Sequence, residues 1–225
     1  MPMAKENIMT EKFYKTLSAG RKSCHGGDHT WEPGQWYEVA GDLIPCQNGF
    51  HFCRPEYLLD WICEEVWETE YEGKVIDGGD KLVAGKERIT RQCAGWNETS
   101  ARLFAVQCAE DVAYLIPGPE TQRCLEVTRA YAYQQASYEE LAAAREAFWE
   151  ATREVACEAA GAAAAAREAV WAVGRVTAWA AARDAAWIAA RAASKAGTAA
   201  WEIANDAAWE ATRDRQCNRL MDLLD

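Results

Sequence analysis

The chain has three histidines, His25, His29 and His51, and all lie near its start beside Cys24, Cys46 and Cys53. Written as motifs, they are Cys24-His25-x3-His29 and Cys46-x4-His51-x-Cys53. Zinc takes thiolate and imidazole ligands tetrahedrally, and residues two apart on a strand share a face, so His51 and Cys53 could reach one ion. No Cys-x2-Cys knuckle accompanies them, and free cysteine is among the most buried residue types. Packed thiols and a core histidine are the plainer reading, so the sequence calls for no metal and no cofactor. The enzymatic version of the same residues has His51 activating Cys46 or Cys53 as a nucleophile. No strand–turn–helix elbow or oxyanion-hole signature supports it, and Gly20, Gly26-Gly27 and Gly78-Gly79 match no phosphate loop. No catalytic residue is assigned.

A second set of residues lies on an alanine-rich stretch, where Arg and Trp alternate at steps of four. The runs are Arg145-x3-Trp149-x3-Arg153, then Arg167 through Arg191 with Trp171, Trp179 and Trp187, then Trp201-x3-Asn205-x3-Trp209-x3-Arg213. Indole and guanidinium side chains sandwich bases and dominate protein interfaces. They also pack: Trp fills the space between alanine faces, and the Arg stem covers apolar surface while its head reaches water. Any exposed part is expected in the central run, which makes Arg175, Trp179, Arg183 and Trp187, together with His51, the candidate binding residues.

These residues must be positioned by two kinds of structure. Residues 1–30 are weakly patterned. Trp31-Glu-Pro-Gly34 is a turn, Trp36–Val39 and Phe50–Cys53 read as short strands, and Pro55 opens a short helix. Val66–Glu72 alternates, with Trp67, Thr69 and Tyr71 facing inward and an acidic face toward solvent. Asp77-Gly-Gly-Asp80 turns into a strand over about Lys81–Arg91. Beyond this, Asn97, Thr99 or Ser100 caps a helix that Pro117-Gly-Pro119 ends. A second helix runs from about Glu120 to Gln134, and Ser137-x2-Glu140 is a capping box. Breaks are expected at Gly161, Gly174 and Ser194–Gly197, with Thr198 capping a last helix that ends near Leu223. A step of four over-rotates a 3.6-residue helix by about 40°, so Trp171, Trp179 and Trp187 cannot share one narrow face, and a compact bundle follows. The fold class is α+β: a small α+β domain over residues 1–96, then an all-helical Ala/Trp-rich bundle over residues 97–225.

Formal net charge is −11, with 35 Asp and Glu against 24 Lys and Arg. No basic stripe stands out, which disfavours nucleic acid as a partner. No apolar run is long enough for a bilayer, and nine scattered cysteines with no leader ahead of them suit a reducing cytoplasm.

Several segments resemble known families. Trp31-Glu-Pro-Gly-x-Trp36-Tyr, Cys46-x2-Gly49-Phe-His-x-Cys53, Glu68-Thr-Glu-Tyr-Glu-Gly73 and Asp80-Lys-Leu-Val are similar to a small domain of phage and bacterial proteins. There a GFHxC segment precedes low-complexity repeats. Ala101-Arg-Leu-Phe-Ala105, Cys108-Ala-Glu110 and the helices that follow resemble the all-helical domain of immunity proteins. The GFHFC strand is also similar to one in ADP-ribosyltransferase-like cores, where a histidine lines a cleft. The resemblances imply a conflict-system setting and supply no catalytic residue. The leading expectation is a non-enzymatic protein of immunity or anti-defence type that sequesters a protein partner. The alternatives are a binder of a nucleotide-type small molecule using Trp and Arg, an enzyme centred on His51, and a self-associating homo-oligomer.

Overall fold

The computed structural model describes residues 11–25, 28–153, 161–175, 177–196 and 202–224. Six strands form one antiparallel sheet: β1 (Phe13–Ser18), β2 (Lys22–Ser23), β3 (Tyr37–Glu38), β4 (Phe50–Phe52), β5 (Glu65–Asp77) and β6 (Leu82–Gln92). The path runs β2-β1-β5-β6-β3, and β4 pairs with β6 beside β3. Cys53, just after β4, bridges to Tyr14 of β1 through two backbone hydrogen bonds of 2.9 and 2.8 Å. Through that bridge the ring β1-β5-β6-β4 closes, so the sheet is curled and has an inside.

Alternation decides which residues enter the curl. Leu17, Trp67 and Ile89 pack inside with Trp31, and Phe13, Phe52, Tyr71, Leu82 and Ala84 fill the other end. The opposite face divides in two. Tyr14, Cys53, Val66 and Cys93 pack against helices, whereas Glu68, Glu70 and Glu72 pair across the hairpin with Arg91, Arg88 and Lys86. The acidic face expected to be merely solvated is therefore a ladder of cross-strand ion pairs.

After a single 3-10 turn at Pro55–Tyr57 comes α1 (Leu58–Trp61), which is cut short when Ile62 turns to extended backbone. The remaining helices are α2 (Glu98–Glu110), α3 (Pro119–Ala132), α4 (Tyr138–Ala151), α5 (Ala162–Ala172), α6 (Ala178–Ala196) and α7 (Glu202–Leu224). Asn97 caps α2, and the Ser137–Glu140 box caps α4, each through reciprocal side-chain bonds. Gly161 precedes α5 and Gly174 follows it, so Trp171 lies on one helix and Trp179 and Trp187 on the next. Thr198 and Trp201 lie outside the described residues.

Helix α6 is central. Its alanines 181, 182, 185, 186, 189, 190 and 192 are all fully buried, on more than one side, and α2, α5 and α7 pack around it. Alanine surfaces let the backbones approach closely. One apolar cluster runs from Tyr14, Leu58, Leu59, Ile62 and Val66 through α2 and α6 to Leu220 and Leu224 of α7.

Candidate functional site

Where β1 and β4 are joined only by the Tyr14–Cys53 bridge is a pocket of about 360 Å³, walled by these two strands and the segment that follows β2. All three histidines of the chain line it, with Lys15, Lys81, Trp31, Phe50 and Trp61. No Asp or Glu does so among the described residues, although the chain carries a formal charge of −11.

The floor is a buried ion pair. Lys15 Nζ lies 3.0 Å from a Glu87 carboxylate oxygen, donates to the His51 carbonyl at 2.6 Å and sits 4.2 Å from the Trp31 ring centre. Glu87 is fully buried and also accepts from the Thr69 hydroxyl at 2.8 Å. Burial raises its carboxyl pKa, while Lys15 and Thr69 act in the opposite direction.

Above the floor, His29 is boxed edge-on by Trp31 and Tyr37, with ring centres 4.9 and 4.3 Å away. Its Nε2 is buried with no hydrogen-bond partner among the described residues. His51 projects from β4, and its Nε2 accepts the Cys46 backbone N–H at 3.0 Å. That bond leaves the ring proton on Nδ1 in the neutral form. Burial, and then the charge of Lys15, lowers the pKa of both histidines. Cys46 holds a left-handed backbone (φ 63°) in the tight Ile44–Asn48 turn, which aims its N–H at His51. Trp61, on the far wall, donates its indole N–H to the Asp80 carbonyl at 3.0 Å, and Lys81 Nζ lies 4.4 Å from its ring centre.

At one side of the pocket, three residues from two segments converge. Cys24, His25 and Cys63 place their ligand atoms within 4.8 Å of one another. His25 Nε2 is 3.6 Å from Cys63 Sγ and 3.0 Å from the Trp61 carbonyl. Cys24 Sγ donates to the Thr16 carbonyl at 3.2 Å. The bond from Cys63 pulls the Cys24 thiol down to about 5 against the opposing effect of burial, and the same bond pushes Cys63 up. The bond to Cys24 raises His25.

The residues singled out in the sequence are spread over the molecule. His51 lines the pocket. Its presumed partners serve other ends: Cys53 is buried and donates to the Tyr14 carbonyl, and burial pushes its thiol up. Neither Cys46 nor Cys53 offers its thiol to the His51 ring among the described residues. Arg175 is exposed, pairs with Asp184 and gives its carbonyl to buried Arg102. Trp179 packs against the core, with Arg183 5.5 Å from its ring centre. Trp187 is 47% exposed and meets Trp209 edge-on. Arg191 stays on its own helix, 5.8 Å from the Trp187 ring centre, whereas two contacts cross between helices: Arg145 over Trp171, and Arg167 over Trp149 at 3.3 Å. The residues that sequence reasoning passed over are Lys15, Trp61, Cys63 and Lys81. The signal for Lys15 was a lone lysine between Phe13 and Leu17, on the inward face.

A family model described as Domain of unknown function (DUF7666) matches residues 12–102, a span that holds every residue of the pocket and of the Cys24–His25–Cys63 group. No curated protein and no solved structure matches the chain.

Proposed function

We infer that the protein is a non-enzymatic binder that captures a small, planar, anionic ligand of nucleotide type in the histidine pocket. The observation that carries this reading is the lining itself, in a strongly acidic chain: three histidines, five aromatic side chains and two lysines, with no carboxylate on the pocket surface and Glu87 buried beneath Lys15. Aromatic faces suit a flat ring, and Lys81 at the rim suits a phosphate or carboxylate. The orphaned Nε2 of His29 supplies a polar atom for the ligand to satisfy. The resemblances add a setting, a phage or bacterial conflict system, in which stoichiometric capture is a sufficient activity. The enzymatic reading centred on His51 is weaker, because its Nε2 already holds the Cys46 N–H.

The test is titration calorimetry of the full chain with adenosine monophosphate, adenosine diphosphate and, as the neutral control, adenosine. The nucleotides should bind and adenosine should bind less, with Lys81→Ala weakening the nucleotides by roughly tenfold or more. Equal heats for all three, or none, refute the reading. The exposure of Trp187 favours a second reading, a protein partner docking on α6, with another copy of the chain as one form of it. Sedimentation equilibrium of the wild type against Trp187→Ala checks that form.

A further inference from the structure

We propose that Cys24, His25 and Cys63 form a zinc site at the edge of the pocket, with three protein ligands and one open position. Two thiolates and an imidazole are the donor set that selects zinc among the common cellular divalent ions. The spacing fits. Bonds of about 2.3 Å to sulfur and about 2.0–2.1 Å to nitrogen, at a tetrahedral angle, separate the two donors by about 3.6 Å. Cys63 Sγ and His25 Nε2 stand 3.6 Å apart, and Cys24 Sγ lies within 4.8 Å of both.

The scaffold that sets this spacing is the sheet. Strand β1 pairs with β2 on one side and with β5 on the other, and Cys24 comes just after β2 while Cys63 comes two residues before β5, so the two thiols arrive from segments that β1 ties together. Cys63 is buried and fixed by the neighbouring Trp96 indole, which donates to its carbonyl at 2.9 Å. His25 is exposed and comes from the segment after β2, so it can close on an ion from solvent. Zinc binding takes both cysteines as thiolates, releasing whatever thiol protons remain, and moves the imidazole proton from Nε2, where it meets the Trp61 carbonyl, to Nδ1. Three protein ligands leave a fourth position for water or a ligand atom, the pattern of reactive zinc sites. Cys24 and His25 also line the pocket, so the ion borders whatever occupies it.

The experiment is elemental analysis with native mass spectrometry on the full chain, produced in zinc-supplemented medium and purified anaerobically without chelator. About one zinc per chain is expected, falling to near zero in His25→Ala and in Cys24→Ser. His25 is the safer variant because its side chain is exposed, and circular dichroism confirms that each variant is folded. Cobalt substitution should give thiolate-to-cobalt charge-transfer absorption that Cys24→Ser removes. A metal-free wild type overturns the proposal. So does zinc that survives both substitutions, or a Cys24–Cys63 disulfide in the anaerobic protein. Neither readout depends on the ligand of the pocket, so the site and the binding function can fail separately.

Discussion

The ammonium of Lys15 rests 3.0 Å from the carboxylate of Glu87, and both groups are shut away from solvent inside the curl. Isolated, either charge would cost several kcal/mol to bury; together, with Thr69 and the His51 carbonyl, they satisfy each other. Glu87→Gln should therefore destabilise the protein by roughly 3–5 kcal/mol, because it leaves the ammonium unpaired. The double variant Lys15→Met/Glu87→Leu should recover much of that loss. Urea denaturation of the three proteins checks the order, and a double variant no better than the single one contradicts it.

His51 carries a pH dependence. Its folded pKa lies below the unfolded value of about 6.5, first because of burial and then because of Lys15. Between the two values the unfolded chain binds more protons, so stability from this group is complete above about pH 6.5 and is lost as pH falls toward the folded pKa. Protonation also removes the acceptor for the Cys46 N–H. NMR titration should show His51 with a depressed midpoint and the Cys46 amide shifting with it. A midpoint at or above the ordinary value removes the argument.

Gly95 lies against the backbone of α7: a Cβ added there would overlap the Leu223 carbonyl. Gly95→Ala should cost about 1–3 kcal/mol through overpacking. Gly85→Ala, where the added atom meets only Leu43 at ordinary contact distance, should stay within about 0.5 kcal/mol. Thermal unfolding of both distinguishes a docked α7 from a loosely attached one.

Two arginines of the ladder should behave differently. Arg167 is buried, stacks on Trp149, and donates to the Trp149 carbonyl at 2.6 Å and the Thr152 hydroxyl at 3.0 Å. Arg183 is more than a third exposed in its side chain and pairs with its neighbour Asp184. Arg167→Met should cost about 1.5–3 kcal/mol, and Arg183→Ala should be within about 0.5 kcal/mol. Equal costs would mean the ladder is uniform rather than divided into packed and solvated rungs.

What the sequence revealed follows from how local each signal is. The Asp77–Asp80 turn, the Ser137 capping box and the glycines at 161 and 174 act within a few residues, and each appears where its chemistry requires. Strand β1 was hidden because Tyr14 is buried against the helices and Lys15 inside the curl, so neither face shows a simple polar-out alternation. The pocket was half legible. His51 and its neighbours drew attention by residue type, but Cys63 joins Cys24 only in the folded chain, where β1 holds β2 and β5 on its two sides, which no spacing along the chain encodes. The ladder misled in the other direction: its periodic spacing is conspicuous, yet the same step of four serves helix packing as readily as recognition.

The apolar cluster shared by the sheet and the helices bears on how the protein can be taken apart. Leu58, Leu59, Ile62, Val66 and Trp96 find their cover on α2, α6 and α7, and Arg213 and Cys217 of α7 reach back to Asp60 of α1 and to Glu56 in the turn before it. A fragment that stops before α2 would present that whole underside to water and would aggregate or recruit a foreign helix. The sheet carries the pocket, but it is not a transplantable cassette.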